Sequence, residues 1–193
     1  RELLERSISS SLAVGDLELV CDVYLRLAES LIDERDPGAA VHELQQAIDI
    51  ATGGGGWGSA RTPKRLWRVG HRLASLLQQS GNHRRARTIA TDALALARRR
   101  GSQNGQAQLA ALIATICESA GDFASALRYR ASAIKGLRRL GDRRSTAELL
   151  LASAASQRDR SAADFAEILA AEVGWAEGVA RSRKFGTDDG DRD

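Results

Sequence analysis

Gly81-Asn82-His83-Arg84-Arg85-Ala86 and Gly121-Asp122-Phe123-Ala124-Ser125-Ala126 are the two stretches that decide the fold. Each opens on Gly followed by Asn or Asp and closes on Ala. Their spacing sets a repeat period of about 40 residues, within the range of paired-helix repeats. Glycine ends a helix readily because it accepts a left-handed backbone, and an Asn or Asp side chain caps the helix that follows. One further period reaches Ser161-Ala162-Ala163-Asp164-Phe165-Ala166, again with Ala last. In the other direction, slightly more than one period before Gly81, stands Arg35-Asp36-Pro37-Gly38-Ala39-Ala40. The extra residues fall in the insertion Gly53-Gly54-Gly55-Gly56-Trp57-Gly58, which reads as a flexible loop.

The register holds on both sides of these turns. Ala28, Ala74, Ala114 and Ala154 coincide upstream, preceded by Leu27, Leu73, Ile113 and Ser153. Ala47, Ala93, Ala133 and Val173 coincide downstream. Small side chains at fixed places are what two helices need to approach closely, and neither helix of such a pair can bury its apolar stripe alone. The pattern predicts a leading helix over 2–13. Helix pairs follow at 17–34 with 38–51, 63–80 with 83–100, 104–120 with 123–140, and 143–157 with 161–182.

Composition agrees with a folded helical chain. Of 193 residues, 43% are hydrophobic and 27% charged, aromatics are only 4%, and Pro37 and Pro63 both stand where a helix can begin. No alternating run marks a sheet, and no stretch of about 18 apolar residues marks a membrane span. The N-terminus lacks a starting Met and a signal-peptide core, so the chain reads as a fragment of something longer. Cys21 and Cys117 are far apart in apolar helical stretches and read as reduced core thiols of a cytoplasmic protein.

Ala74, Gly81-Asn82, Ala86 and Ala93, then Ala114, Gly121-Asp122, Ala126 and Ala133, resemble the tetratricopeptide repeat family over about residues 17–175. The long period is similar to that of the longer-repeat subgroup of signalling adaptors and bacterial regulators. The resemblance implies an all-α right-handed superhelix of about four antiparallel helix pairs, with the first helix of each pair lining a concave groove. It implies one repeat domain over 1–183, with units at about 17–52, 61–100, 101–140 and 141–182. An acidic tail over 184–193 reads as disordered. The family's Trp and Tyr in the first helix are replaced here by Gly70 and Ala110, and by Leu77 and Cys117.

No metalloprotease, phosphate-loop or nucleophile-elbow motif occurs, and His42, His71 and His83 lack ligand-spaced neighbours. Ser132-Ala133-Ile134-Lys135 matches the pattern SxxK, which an Ala-rich helix also produces without catalytic meaning. The expectation is a binding protein that uses no cofactor and no metal. Charge carries more information. The net charge is +3, yet residues 1–60 carry 4 basic and 11 acidic residues while residues 61–100 carry 11 basic and 1 acidic. Arg61, Arg65, Arg68 and Arg72 recur at helical spacing, continued by Ser75 and Gln79.

By register, Arg68, His71, Arg72, Ser75 and Gln78 would face the groove. Leu25, Arg26 and Glu29 would join them from the unit before, and Gln108, Ala111, Thr115 and Glu118 from the unit after. With Arg65 these define a candidate partner-binding set suited to carboxylates, because guanidinium forks take two oxygens at once. The bland reading is a solvated face or pairing within the molecule, the acidic first unit neutralising the basic second one, since 25 of the 28 cations are Arg and such residues are common on exposed helices. The chaperone-tail clamp of the resembled family needs Lys and Asn where this chain has Leu25, Glu29, His71 and Ser75, so that ligand is not expected. Three functions remain in view: a scaffold for an acidic protein segment, a nucleic-acid-associated domain, and an array that spaces or dimerises neighbouring domains.

Overall fold

A computed structural model describes residues 2–54, 56–59, 61–157 and 159–188, and among these it contains helices and no strand. The helices in chain order are α1 (Glu2–Val14), α2 (Leu17–Asp33), α3 (Pro37–Thr52), α4 (Leu66–Gln79) and α5 (His83–Arg99). After them come α6 (Gln103–Ser119), α7 (Phe123–Leu140), α8 (Arg143–Gln157), α9 (Arg160–Glu172) and α10 (Ala176–Asp188). Consecutive helices pack in pairs, α2 with α3, α4 with α5, α6 with α7 and α8 with α9, and the first helices α2, α4 and α6 also touch in succession. The result is an all-α, solenoid-like array.

Each turn is built as its residue types dictate. Gly81 and Gly121 adopt left-handed backbone with φ of 79° and 78°, and Arg35 takes the same region at 63° in the first unit. The side chains of Asp36, Asn82 and Asp122 then accept hydrogen bonds from the amides of Ala39, Arg85 and Ser125. The repeated alanines lie at the contact between helices. Ala28, Ala74, Ala114, Ala47, Ala93 and Ala133 are all buried.

Three tryptophans complete the packing, each seated on a glycine. A Cβ added at Gly70 would stand 2.6 Å from Trp57 Cη2 and 2.8 Å from Ala93 Cβ. One at Gly105 would stand 2.8 Å from Trp67 Cδ2, and the Trp175 ring lies against Gly178. The first-helix position where the resembled pattern has a Trp is therefore filled from outside, by Trp57 of the inserted loop. That corrects the expectation of a flexible loop over 53–58. Trp57 packs on the main core, and its carbonyl accepts from Arg99 Nη2 at 2.6 Å. Arg100 likewise donates to the carbonyl of Thr62 at 2.7 Å. Residue 55 lies outside the described residues.

The fourth unit departs from the register of the others. Its second helix is capped by Asp159, whose side chain accepts from Ala162 N. That cap follows Asp122 at a shorter interval than Asp122 follows Asn82. Ala163 and Ala170, not Ala166 alone, therefore hold the buried places equivalent to Ala126 and Ala133. The single helix expected over 161–182 is two, because Gly174 turns left-handed at φ 67° between α9 and α10. Val173, aligned with the buried alanines by register, is instead the exposed end of α9. The tail expected to be disordered from residue 184 is helical through Asp188, and residues 189–193 lie outside the described residues.

The core divides accordingly. One large cluster runs from Ile8 to Ala126, and a small second one joins α8, α9 and α10 through Ala147, Leu151, Ala166 and Ala170. Two outcomes are expected. Gly70→Ala forces its methyl into Trp57 and Ala93, an overpacking cost of about 1–3 kcal/mol that outweighs the helix-propensity gain of roughly 1 kcal/mol. Chemical denaturation of the two single variants and the double variant with Trp57→Ala checks this. The Gly70→Ala penalty shrinks when the indole is gone, and an unchanged penalty would contradict the packing. Native-state hydrogen exchange checks the divided core: amides of α8, α9 and α10 exchange faster than those of α4, α5 and α6.

Candidate functional site

Helix α4 begins with a difficulty. Its first turn carries Arg65 and Arg68, and Arg65 stands at the N-cap without any side-chain cap bond. Cations near a helix N-terminus face the positive end of the macrodipole. Helix α2 supplies the compensation from one unit upstream. Glu18 accepts from the backbone amides of Lys64 and Arg65 at 2.6 and 3.1 Å. Asp22 accepts from Arg65 Nη1 at 2.7 Å and from Arg68 Nη1 at 3.2 Å. Glu18 thus takes the backbone amides that lead into α4, and Asp22 neutralises its first two arginines.

This geometry corrects the arginine stripe. The helix expected over 63–80 starts at Leu66, because residues 63–65 form a turn with Leu66 N on Pro63 O. Arg61 lies before that turn, in a surface cleft with Asp16 and Glu18, so only Arg68 and Arg72 of the stripe belong to the body of α4. They face a hollow of about 340 Å³ between α2, α4 and α6. Arg26, Arg68, His71, Arg72 and Gln108 of the candidate set line it, together with Leu25 and Glu29. Two lining residues were missed, Asp22 and Trp67. The Trp67 indole forms part of the hollow's wall and braces α4 against Gly105 of α6.

Other members of the set lie outside the hollow. Arg65 is held by Asp22 at its margin. Gln78 donates to Ser119 Oγ at 3.3 Å and so links the ends of α4 and α6. Thr115 is exposed, with its hydroxyl on the carbonyl of Ala111 at 3.3 Å. Ser75 is half-buried on α4. Glu118 is paired with the buried Arg130 at 2.6 Å.

The cations of the hollow are unequal. Arg68 shares Asp22 with Arg65. The side chains of Arg26 and Arg72 have no hydrogen bond or ion pair among the described residues, and Arg72 Nε is buried without an acceptor. A guanidinium N–H withdrawn from water without a partner is costly. Burial, and then the neighbouring Arg72 charge, hold the His71 imidazole below its ordinary pKa, so it is neutral near pH 7. Burial also raises both thiols, Cys21 to about 12, as inert core groups rather than nucleophiles. Among the described residues no group of His, Cys, Asp and Glu could hold a metal ion, and no helix is long and apolar enough to cross a membrane.

Comparison with known proteins bears on the fold alone. No family model matches the chain, and no curated protein matches it. Among solved structures it is similar to BtubC (BKLC) from P. vanneervenii, with a TM-score of 0.76. The match covers 97% of this chain and 85% of that one, at 18% sequence identity. The likeness supports an all-α, solenoid-like fold over nearly the whole of this chain.

The pKa of His71 offers a direct probe of the hollow. Because the folded value is lowered, the unfolded chain binds the proton more readily. Stability therefore falls as pH drops through the ordinary histidine value toward the folded one. Arg72→Ala removes the adjacent cation, and the His71 midpoint measured by NMR moves up toward 6.5. A midpoint that does not move would show that the two side chains do not share the hollow.

Proposed function

We propose that the chain is a binding module that takes an acidic segment of a protein partner in the hollow between α2, α4 and α6. The observation that carries this reading is Arg72, which lines the hollow and whose side chain makes no hydrogen bond or ion pair among the described residues. Arg26 and Gln108 add further donors, and Leu25 and Trp67 add apolar wall. A carboxylate there would accept from Arg72 and Arg26, while Asp22 already satisfies Arg65 and Arg68. The absence of any motif for nucleophilic or metal chemistry in the sequence supports binding rather than catalysis.

The buried register alanines and the Gly-Asn and Gly-Asp turns support an assignment of the array to the tetratricopeptide type, as one module of a larger signalling or regulatory protein. The two buried, unpaired thiols fit work in the cytoplasm. A nucleic-acid reading has less support. Six of the ten arginines in the basic segment 61–100 are held by Asp22, Asp122, Gln45 and the carbonyls of Trp57 and Thr62. Trp67 is only 8% exposed and offers no stacking platform.

Selection of peptides from a random display library on the intact chain tests the proposal. Sequences rich in Asp and Glu are expected to be enriched. Charge reversal by Arg72→Glu should weaken their binding about tenfold or more in calorimetric titration, given the strength of charge-assisted hydrogen bonds. Arg65→Ala should leave it nearly unchanged. Enriched peptides without acidic bias, or binding that survives Arg72→Glu, would sink the proposal.

A further inference from the structure

Helices α6 and α7 make the most extensive pair in the molecule, because Gly136 lets α7 come close to Ala107. A Cβ added at Gly136 would stand 3.0 Å from that of Ala107. Above this contact the helices part into a cleft of about 390 Å³ at the edge of the array, where α6 begins and α7 ends. Ser132, Lys135 and Arg139 project into it from one face of α7, at helical spacing, and Gln103 and Gln106 project from the first turn of α6. No carboxylate lines it. The side chains of Lys135 and Arg139 make no hydrogen bond or ion pair among the described residues.

Several arginines along the array are instead paired. Arg65, Arg68, Arg87 and Arg130 each hold a carboxylate. Placement of Arg139 in the last turn of α7 is explained by the helix dipole, but that does not account for Lys135 one turn earlier. Nor does it account for a lining made otherwise of neutral donors. Ser132 and Lys135 are the pair that matches SxxK in sequence. With no base or further nucleophile lining the cleft, their shared face serves binding, not acylation.

We propose that this cleft is an anion site for a phosphate monoester, separate from the hollow between α2, α4 and α6. The donor inventory selects the ligand class. An ammonium, a guanidinium, a hydroxyl and two carboxamides present more N–H and O–H groups than the two oxygens of a carboxylate can use. A phosphate monoester carries about −1.5 to −2 charge near pH 7 and three acceptor oxygens, which matches two cations and several neutral donors. The first turn of α6 adds its positive dipole end to the same cleft. A free phosphate ester and a phosphorylated side chain of a partner share this chemistry.

The experiment is an NMR titration of the intact chain at low salt, in arms of equal ionic strength. The ligands are inorganic phosphate, acetate, and a phosphoserine tripeptide with its unphosphorylated counterpart. Phosphate is expected to shift the side-chain amides of Gln103 and Gln106 saturably, and acetate to shift them far less. Lys135→Ala/Arg139→Ala alters two exposed side chains, so the rest of the spectrum stays in place while phosphate affinity falls about tenfold or more. Tighter binding of the phosphoserine peptide than of phosphate assigns the site to a phosphorylated partner, and the reverse order assigns it to a free ester. Three results would overturn the site: no saturable shift, equal shifts with acetate, or affinity unchanged in the double variant.

Discussion

The carboxylates of Glu18 and Asp22 hold the basic start of α4 against α2, beside the hollow between α2, α4 and α6. Without them, α4 would open with two arginines at the wrong end of its dipole and with backbone amides uncapped. The contacts are exposed enough that their direct energetic worth is small, on the order of 1 kcal/mol or less for each surface ion pair. Their consequence is positional. They fix which arginines of this face are paired inside the molecule. Arg65 and Arg68 are spent, whereas Arg26 and Arg72 are not.

Burial does the larger energetic work, through aliphatic side chains such as Leu73, Leu96 and Ile113, and small residues set how closely the helices that carry them approach. Alanines at the helix contacts and glycines beneath Trp57, Trp67 and Trp175 let the helices approach closely enough to exclude water. The indoles fill what the small residues leave. Trp57 is the informative case. It belongs to a loop rich in glycine, yet it is half-buried against the core of the second unit, where Arg99 holds its carbonyl. The inserted loop is thus a packing element of the array.

The turns were legible in the sequence because their chemistry is local. A left-handed residue followed by a capping side chain reads the same way wherever it occurs, and the buried alanines keep a fixed distance from it. Where two signals competed, the weaker one misled. The stretch from Ser161 to Ala166 matches the alanine pattern at the repeat period, but Asp159 caps the helix, and the cap fixes the register. The glycine run was misread for a different reason: loop composition carries no information about a distant glycine at position 70. Of the hollow, Arg68, His71, Arg72, Arg26 and Gln108 could be placed because the resemblance to a known repeat implies that first helices line a shared face, and the repeat register then points to these residues. Asp22 could not, since its role depends on α2 facing α4. The one trace it left in the sequence was the acidic bias of residues 1–60 beside the basic bias of 61–100. Read as complementarity rather than as two separate patches, that bias pointed to the contact.

A map of where an acidic peptide sits on the intact chain tests this account most directly. A short Asp/Glu-rich peptide titrated into isotope-labelled protein should shift the side-chain resonances of Arg26, His71, Arg72 and Gln108 together, while the Arg65 guanidinium stays on Asp22. Shifts confined to Arg65 and Arg68, with Asp22 released, would mean that the ligand competes for the spent arginines. The division between spent and available charge would then be wrong.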